Sequence, residues 1–261
     1  MLHSLPVVVS MTDSARFSWT VLLPVKVLAR AKSRLAVLAG DRRRDLALAL
    51  ASDTVAAVLS CPEVSRVIVV TSDPVAGPRL AALGAIVVPD EPADLRGDLA
   101  SLDGAPVPDG RPGAHGTGRD SDLGLQDELN AALRHGAGLA ARRWPGTSIA
   151  ALTADLPSLD PAELSAALRA AGALGRAAFV PDAACVGTTL YAVPWGGGEF
   201  LPSFGGASRA RHASSGAAEL GIDDMTGLRR DVDTPDDLRT ALALGTGPHT
   251  AALAAELLAD A

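Results

Sequence analysis

Aromatic residues are scarce in this chain: three Trp, one Tyr and four Phe among 261 residues. Rows of exposed rings on which unpaired bases stack are therefore excluded, and Ala, Leu and Val must fill the core. Cysteine is scarcer still. Cys61 and Cys185 alone make neither a disulfide scaffold nor a cysteine-built zinc centre, so a reducing, cytoplasmic setting is the simplest expectation. An excess of positive charge is also missing. The formal net charge of -7 argues against a broad polyanion-binding surface and against nucleic acid as a partner, while leaving room for a local basic pocket. No apolar run has the length of a membrane span, so no membrane partner is expected. Met1 to Ser18 holds a short apolar stretch without a basic region before it or a small-residue cleavage pattern after it. It reads as a disordered tail rather than a signal peptide, with Met11 an alternative start.

What is present is alternation. Thr20–Val25, Arg66–Thr71, Ala85–Val88, Ser148–Thr153, Ala177–Val180 and Thr188–Val193 read as strands. Several are continuous apolar runs, as expected of strands buried on both faces. Between and after them, helices are predicted over Asp41–Leu59, Pro78–Leu83, Asp127–Arg143, Pro161–Ala171, Ala207–Leu220, Pro235–Leu244 and His249–Leu258. This order implies an α/β fold with a mostly parallel sheet sandwiched by helices. Glu91–Leu123 breaks the pattern with Gly, Pro and Asp and no periodicity, and is expected to be a long mobile loop. The organisation read from this is a tail over 1–18, a single domain over 19–250 interrupted by the 91–123 loop, and a C-terminal helix end over 251–261.

Two acidic stretches carry the strongest chemical signal: Thr153-Ala154-Asp155-Leu156-Pro157 and Asp231-Val232-Asp233-Thr234-Pro235. A carboxylate just past the C-terminal end of a sheet strand points into the crevice where ligands bind. Two such stretches converging would hold a hard cation such as Mg²⁺, which commonly takes one or two carboxylates together with phosphate oxygens. Asp155 also fits a turn or N-cap before Pro157. Asp233 has the context of a helix cap ahead of Pro235, Asp236 and Asp237, which leaves Asp231 the better metal candidate.

The loop after the first strand has almost no glycine, so neither a dinucleotide fingerprint nor a Walker loop is present. In their place stand four cations, Lys26, Arg30, Lys32 and Arg34, which alone read first as a solvated basic face and second as a phosphate site. Phe204-Gly205-Gly206-Ala207-Ser208 is a glycine-bearing turn before a helix, an anion site or an ordinary cap, with Arg209, Arg211 and His212 directly after it. His212 by itself reads as a surface or packing histidine. Thr188 and Thr189 offer hydroxyls at a strand start. Asn130 is placed to cap the long helix or to touch a nucleotide.

Taken together in chain order, several segments resemble the 2-phospho-L-lactate / phosphoenolpyruvate guanylyltransferases of coenzyme F-420 biosynthesis. These are Val25-Lys26 with Ala31 to Leu35, Leu129 to Leu133, Asp155-Leu156-Pro157, Gly187-Thr188, Phe204-Gly205 with Ser208, Ala210, Arg211 and His212, Ser215-Gly216-Ala217, and Leu228 with Asp231 to Pro235. The resemblance runs from about Trp19 to Thr250. It implies a nucleotide-diphospho-sugar transferase (GT-A-like) fold, GTP as donor, and phosphoenolpyruvate or 2-phospho-L-lactate as acceptor. It further implies Asp155 and Asp231 as metal ligands for Mg²⁺ with Asp233 nearby, and Thr188, Gly205 and Ser208 as the acceptor site. Lys26 steadies the GTP phosphates, with Lys32, Arg34 and Asn130 also on the nucleotide; Lys26, Asp155 and Asp231 are the catalytic set. The chain departs from the family pattern at Ala154, where glycine is usual, and at Gly206 and Ala207 in the acceptor turn. Another nucleotidyltransferase of the same fold, of the molybdenum-cofactor type, and a non-catalytic nucleotide-binding protein stay open as alternatives, and the oligomeric state is open with a homodimer allowed.

Overall fold

The computed structural model describes residues 18–25, 35, 39–90, 118–221 and 224–259, and within these it leaves out the side chains of 118–125 and 258–259. Residues 1–17 of the tail expected over 1–18, residues 91–117 of the loop expected over 91–123, and the Lys26–Arg34 segment lie outside the described residues.

Among the described residues seven strands form one sheet: β1 (Trp19–Pro24), β2 (Val64–Val70), β3 (Ile86–Val88), β4 (Ser148–Leu152), β5 (Ala178–Pro181), β6 (Thr188–Val193) and β7 (Ala218–Glu219). Their order is β3-β2-β1-β4-β6-β5-β7. β6 alone is reversed, pairing antiparallel with β4 on one side and β5 on the other, while the remaining pairs are parallel. The sheet is therefore mostly parallel, as the alternation implies.

Helices are α1 (Arg43–Leu59), α2 (Ala76–Ala82), α3 (Gly118–Arg143), α4 (Pro161–Leu174), α5 (Ser208–Ser214), α6 (Pro235–Leu244) and α7 (Pro248–Ala259). Strand alternation sends Val21, Leu23, Val67 and Val69 to one face, where they meet Val55 and Val58 of α1 and Leu164 and Leu168 of α4. Leu22, Ile68 and Val70 go to the other face, under Leu133, Ala137 and Ala140 of α3. Both faces of the central strands are thus dry, which is why their sequences are unbroken apolar runs. A third cluster joins Leu46 and Leu50 of α1 to Val232, to Leu238 of α6 and to Leu253 of α7.

The structure corrects three expectations. Helix α3 begins at Gly118, so the last residues of the expected 91–123 loop are helical. The helix expected over Ala207–Leu220 stops at Ser214 and gives way to β7. Gly216 has φ +85° two residues past the last helical residue, the left-handed stop that only glycine adopts without strain. No strand leads into Asp231 among the described residues; the approach is a turn through Thr226–Arg229.

Long-range hydrogen bonds tie α1 to the C-terminal helices. The buried Asp53 carboxylate accepts from His249 N (3.1 Å) and Thr250 N (2.7 Å), so it caps α7 from another helix. Removing a side-chain cap costs about 1 kcal/mol. Asp53→Ala is expected to lower the unfolding free energy by that amount, read as a lower urea midpoint at an unchanged slope, and an unchanged midpoint would refute the capping role.

Candidate active site

The site lies past the C-terminal end of β4, where the chain leaves the sheet as Thr153-Ala154-Asp155-Leu156-Pro157. Thr153 N donates to Thr189 O (3.0 Å), extending the β4–β6 ladder one step. The register Leu152↔Leu190 carried two residues further sets Ala154 opposite Thr188. The reversed strand therefore starts where the acidic turn begins, and two of the predicted elements meet for a topological reason.

The turn is fixed from α1 and from the C-terminal region. Thr54 Oγ1 donates to Leu50 O (2.8 Å) and accepts from Leu156 N (2.9 Å), and Gly247 N donates to Pro157 O (2.9 Å). Leu156 is fully buried. The N-cap of α4 is Asp160 rather than Asp155, and its carboxylate accepts from Ala162 N.

The second acidic stretch is stitched beside the first by main chain, Val232 N donating to Asp155 O (3.1 Å). Val232 is fully buried in the third cluster. In extended chain its two neighbours then face the opposite way, and Asp231 and Asp233 turn toward Asp155. The Asp-Val-Asp spacing, which on a strand puts both acids on one side, has the same effect here in a segment without a strand. Glu163 of α4 anchors the approach by accepting from Gly227 N (3.2 Å) and Leu228 N (2.6 Å). Gly227 passes so close to Ser158 that any side chain there would overlap the Ser158 carbonyl oxygen.

The expected capping by Asp233 is corrected. Thr234 is the N-cap of α6, in a capping box with Asp237. Asp155, Asp231 and Asp233 instead bring one carboxylate oxygen each within 4.8 Å of one another, the first two half-buried and the third exposed. Three hard anionic oxygens at this separation suit a cation such as Mg²⁺.

Beside the acidic turn, Thr188 opens β6 after a loop built on Asp182, whose carboxylate accepts from Val186 N (2.9 Å) and Gly187 N (2.8 Å). Arg229 holds the same loop through Pro181 O (3.1 Å) and Asp182 O (3.0 Å). Gly205 has φ +97°, and a side chain there would collide with Gln126. Ser208 is buried as the first residue of α5, with Ala207 as N-cap and no side-chain cap bond. The ordinary-cap reading of Ser208 therefore does not hold.

Asn130 lies inside α3 and caps nothing. Its Oδ1 accepts from Phe204 N (2.8 Å), and its Nδ2 donates to Phe204 O (3.1 Å) and Gln126 O (2.8 Å). Both of its donor hydrogens go to main chain, so its evident task is to hold the Phe204–Gly205 turn. Arg211 donates to Ser203 O (2.9 Å) and to the Gly205 carbonyl in the same turn. Arg209 forms a two-pronged ion pair with Glu219 (2.9 Å for each bond). The two arginines that follow the glycine-bearing turn are thus engaged in shaping the loops. Lys26, Lys32 and Arg34 lie outside the described residues. Sequence reasoning passed over Thr54, Glu163 and Asp182; the signal for Asp182 was an Asp placed shortly before a glycine turn.

A separate cleft of about 530 Å³ lies between α1, residues 157–161 and residues 244–248. Of the acidic groups lining it, Asp53 and Glu163 are engaged with backbone amides as described, and the Asp160 carboxylate caps α4.

A seven-stranded sheet with one reversed strand, and a carboxylate cluster just past β4, defines the class as the nucleotide-diphospho-sugar transferase fold. A solved structure described as a nucleotide-diphospho-sugar transferase of Desulfovibrio desulfuricans G20 superposes with a TM-score of 0.50 at 14% identity, covering 87% of this chain and 96% of that one, a likeness of fold. No protein-family model matches the chain. At the level of sequence it is 51% identical over 249 residues to the phosphoenolpyruvate guanylyltransferase of Thermomonospora curvata, covering 95% of this chain and 94% of that protein. It is 52% identical over 241 residues to that of Streptomyces coelicolor, covering 92% and 97%. The chain belongs to the phosphoenolpyruvate guanylyltransferase family.

Proposed function

We propose that this protein transfers the guanylyl group of GTP to phosphoenolpyruvate and releases pyrophosphate. The observation that carries the reading, beside family membership, is the meeting of Asp155, Asp231 and Asp233 next to the strand that begins at Thr188. Asp155 and Asp231, with Asp233, would hold Mg²⁺, which when bound supplies charge neutralisation on the phosphates. Lys26, Lys32 and Arg34 would face the triphosphate as cations. Thr188, Gly205 and Ser208 would receive the acceptor, through two hydroxyls and a main-chain turn that only glycine can form.

An oxygen of the acceptor's phosphate attacks the α-phosphorus of GTP. The bond from the α-phosphorus to the bridging oxygen breaks, and pyrophosphate leaves with the electron pair. The attacking phosphate is already ionised at neutral pH, so no side chain has to remove a proton. What the residues supply is position and charge complementarity. The product is an enolpyruvate joined to guanosine through a diphosphate. 2-Phospho-L-lactate presents the same phosphate and carboxylate and differs at the carbon between them. Use of the product in coenzyme F-420 biosynthesis and a cytoplasmic location accompany this reading; among the described residues no helix is long and apolar enough to cross a membrane.

Pyrophosphate release from purified protein, GTP and Mg²⁺ with each phosphorylated three-carbon acid in turn tests the reading. Release with phosphoenolpyruvate is expected, and silence with every acid would sink it. Ser208→Ala is expected to raise the acceptor KM roughly ten-fold, the worth of one hydrogen bond to a charged group, with the GTP KM little changed. An equal rise in both would remove Ser208 from the acceptor site.

A further inference from the structure

His212 is fully buried in a cage of rings. It stacks on Tyr191 (4.6 Å between centroids, 17° between planes), with Phe204 edge-on at 5.5 Å and Phe179 at 5.7 Å. In a chain with eight aromatic residues, three gathered on one histidine make a specific environment. Both ring nitrogens are engaged. Ser203 N lies 2.9 Å from Nε2, and Thr188 Oγ1 lies 3.0 Å from Nδ1.

These two contacts fix the proton. A main-chain N–H is always the donor, so Nε2 accepts from Ser203 and carries no hydrogen. Burial, with the charge of Arg211 adding to it, pushes the ring's pKa down to about 4, so it is neutral near pH 7. A neutral imidazole has one N–H, which must then sit on Nδ1 and point at Thr188 Oγ1. With Oγ1 accepting from His212, the hydroxyl's own hydrogen is left to donate elsewhere.

We propose that His212 is a positioning residue that presets the Thr188 hydroxyl as a hydrogen-bond donor to an anionic oxygen of the acceptor. It does so while holding Thr188 on β6 in register with the Ser203–Gly205 turn. The inference rests on the acceptor reading of Thr188 given above. A threonine hydroxyl can either donate or accept, and an acceptor made of phosphate and carboxylate offers only lone pairs. A neighbour that always donates to Oγ1 removes the unproductive orientation before substrate arrives. Asn130 and Arg211 hold the same turn from other sides, and the ring links that turn to Thr188, which lies 24 residues from His212 in sequence.

Long-range ¹H–¹⁵N spectra of the histidine rings, with His212→Phe used to assign the signal, read the tautomer directly in the wild-type protein. The Nδ1–H form is expected, and an Nε2–H form would overturn the inference. In kinetics, His212→Phe keeps the ring packing and removes both bonds. It is expected to raise the acceptor KM at least ten-fold with the GTP KM unchanged, as is Thr188→Val. The double variant is expected to be no worse than the worse single one. His212→Asn, which keeps a donor at the Nδ1 position, is expected to recover part of the loss and serves if the phenylalanine variant folds poorly. Independent, multiplying effects of the two substitutions, or an unchanged acceptor KM in an active His212→Phe protein, would overturn the inference alone. A wild-type protein silent with every acid sinks the acceptor reading and the donor role with it.

Discussion

Asp155→Ala and Asp231→Ala are each expected to lower turnover by at least about a thousand-fold while leaving the fold intact, since removing one preorganised charge-stabilising group costs about 10²–10³ and here a cation would go with it. The fold should survive because main-chain contacts also place these residues. Val232 N bonds the main-chain oxygen of Asp155, Leu156 N bonds Thr54, and Val232 is the buried anchor between Asp231 and Asp233. Two measurements separate this from plain destabilisation. Without Mg²⁺ the variants should melt no lower than the wild type, because a crowded set of carboxylates has lost a member. With Mg²⁺ the wild type should gain stability, by the amount its binding to the folded state dictates, and the variants should not. Near wild-type turnover in either variant would remove the acidic cluster from the chemistry.

Acidification should expose the second large effect. His212 has its pKa pushed from 6.5 down to about 4, first by burial and then by Arg211. The unfolded chain therefore binds a proton between these values that the folded protein refuses. Stability rises with pH across that interval, is full above about 6.5, and falls as pH drops toward 4. At about 1.4 kcal/mol for each unit of difference, the whole interval is worth about 3 kcal/mol. Tyr191 stays neutral against the ring, its own pKa raised by burial, so it does not offset the effect. Urea midpoints taken at several pH values for the wild type and for His212→Phe should diverge in slope through this window, with the wild type the steeper. Parallel curves would mean that the ring accepts a proton in the folded state without penalty.

The central strands were legible because burial on both faces favours unbroken apolar runs, and Val67–Val70 and Ile149–Leu152 show it directly. β7 was not, because two residues carry no period; the glycine that ends α5 was the only available signal. The acidic cluster was half legible. Spacing showed that Asp231 and Asp233 share a side, but their convergence on Asp155 depends on one main-chain bond from Val232. The Thr234–Asp237 capping box could have been read from a threonine three residues before an acid, and it would have released Asp233 from the capping role at once. His212 was the least legible of all. Nothing in its neighbours along the chain announces that Phe179, Tyr191 and Thr188, brought by β5 and β6, will enclose it.

The order of the strands has a consequence for how this protein can change. Strands β1 to β4 come from residues 19–152 and β5 to β7 from residues 178–219, and the two blocks join in the sheet where β4 pairs with β6. Thr188, Gly205, Ser208 and His212 all fall inside the second block, and Asp155, Asp231 and Asp233 all fall outside it. The surface proposed to face the acceptor is therefore carried by one uninterrupted cassette, bounded by the seam at β6. On that proposal a relative's cassette, grafted there, would alter which small acid is taken, while the acidic cluster and the cations of residues 26–34 are inherited untouched.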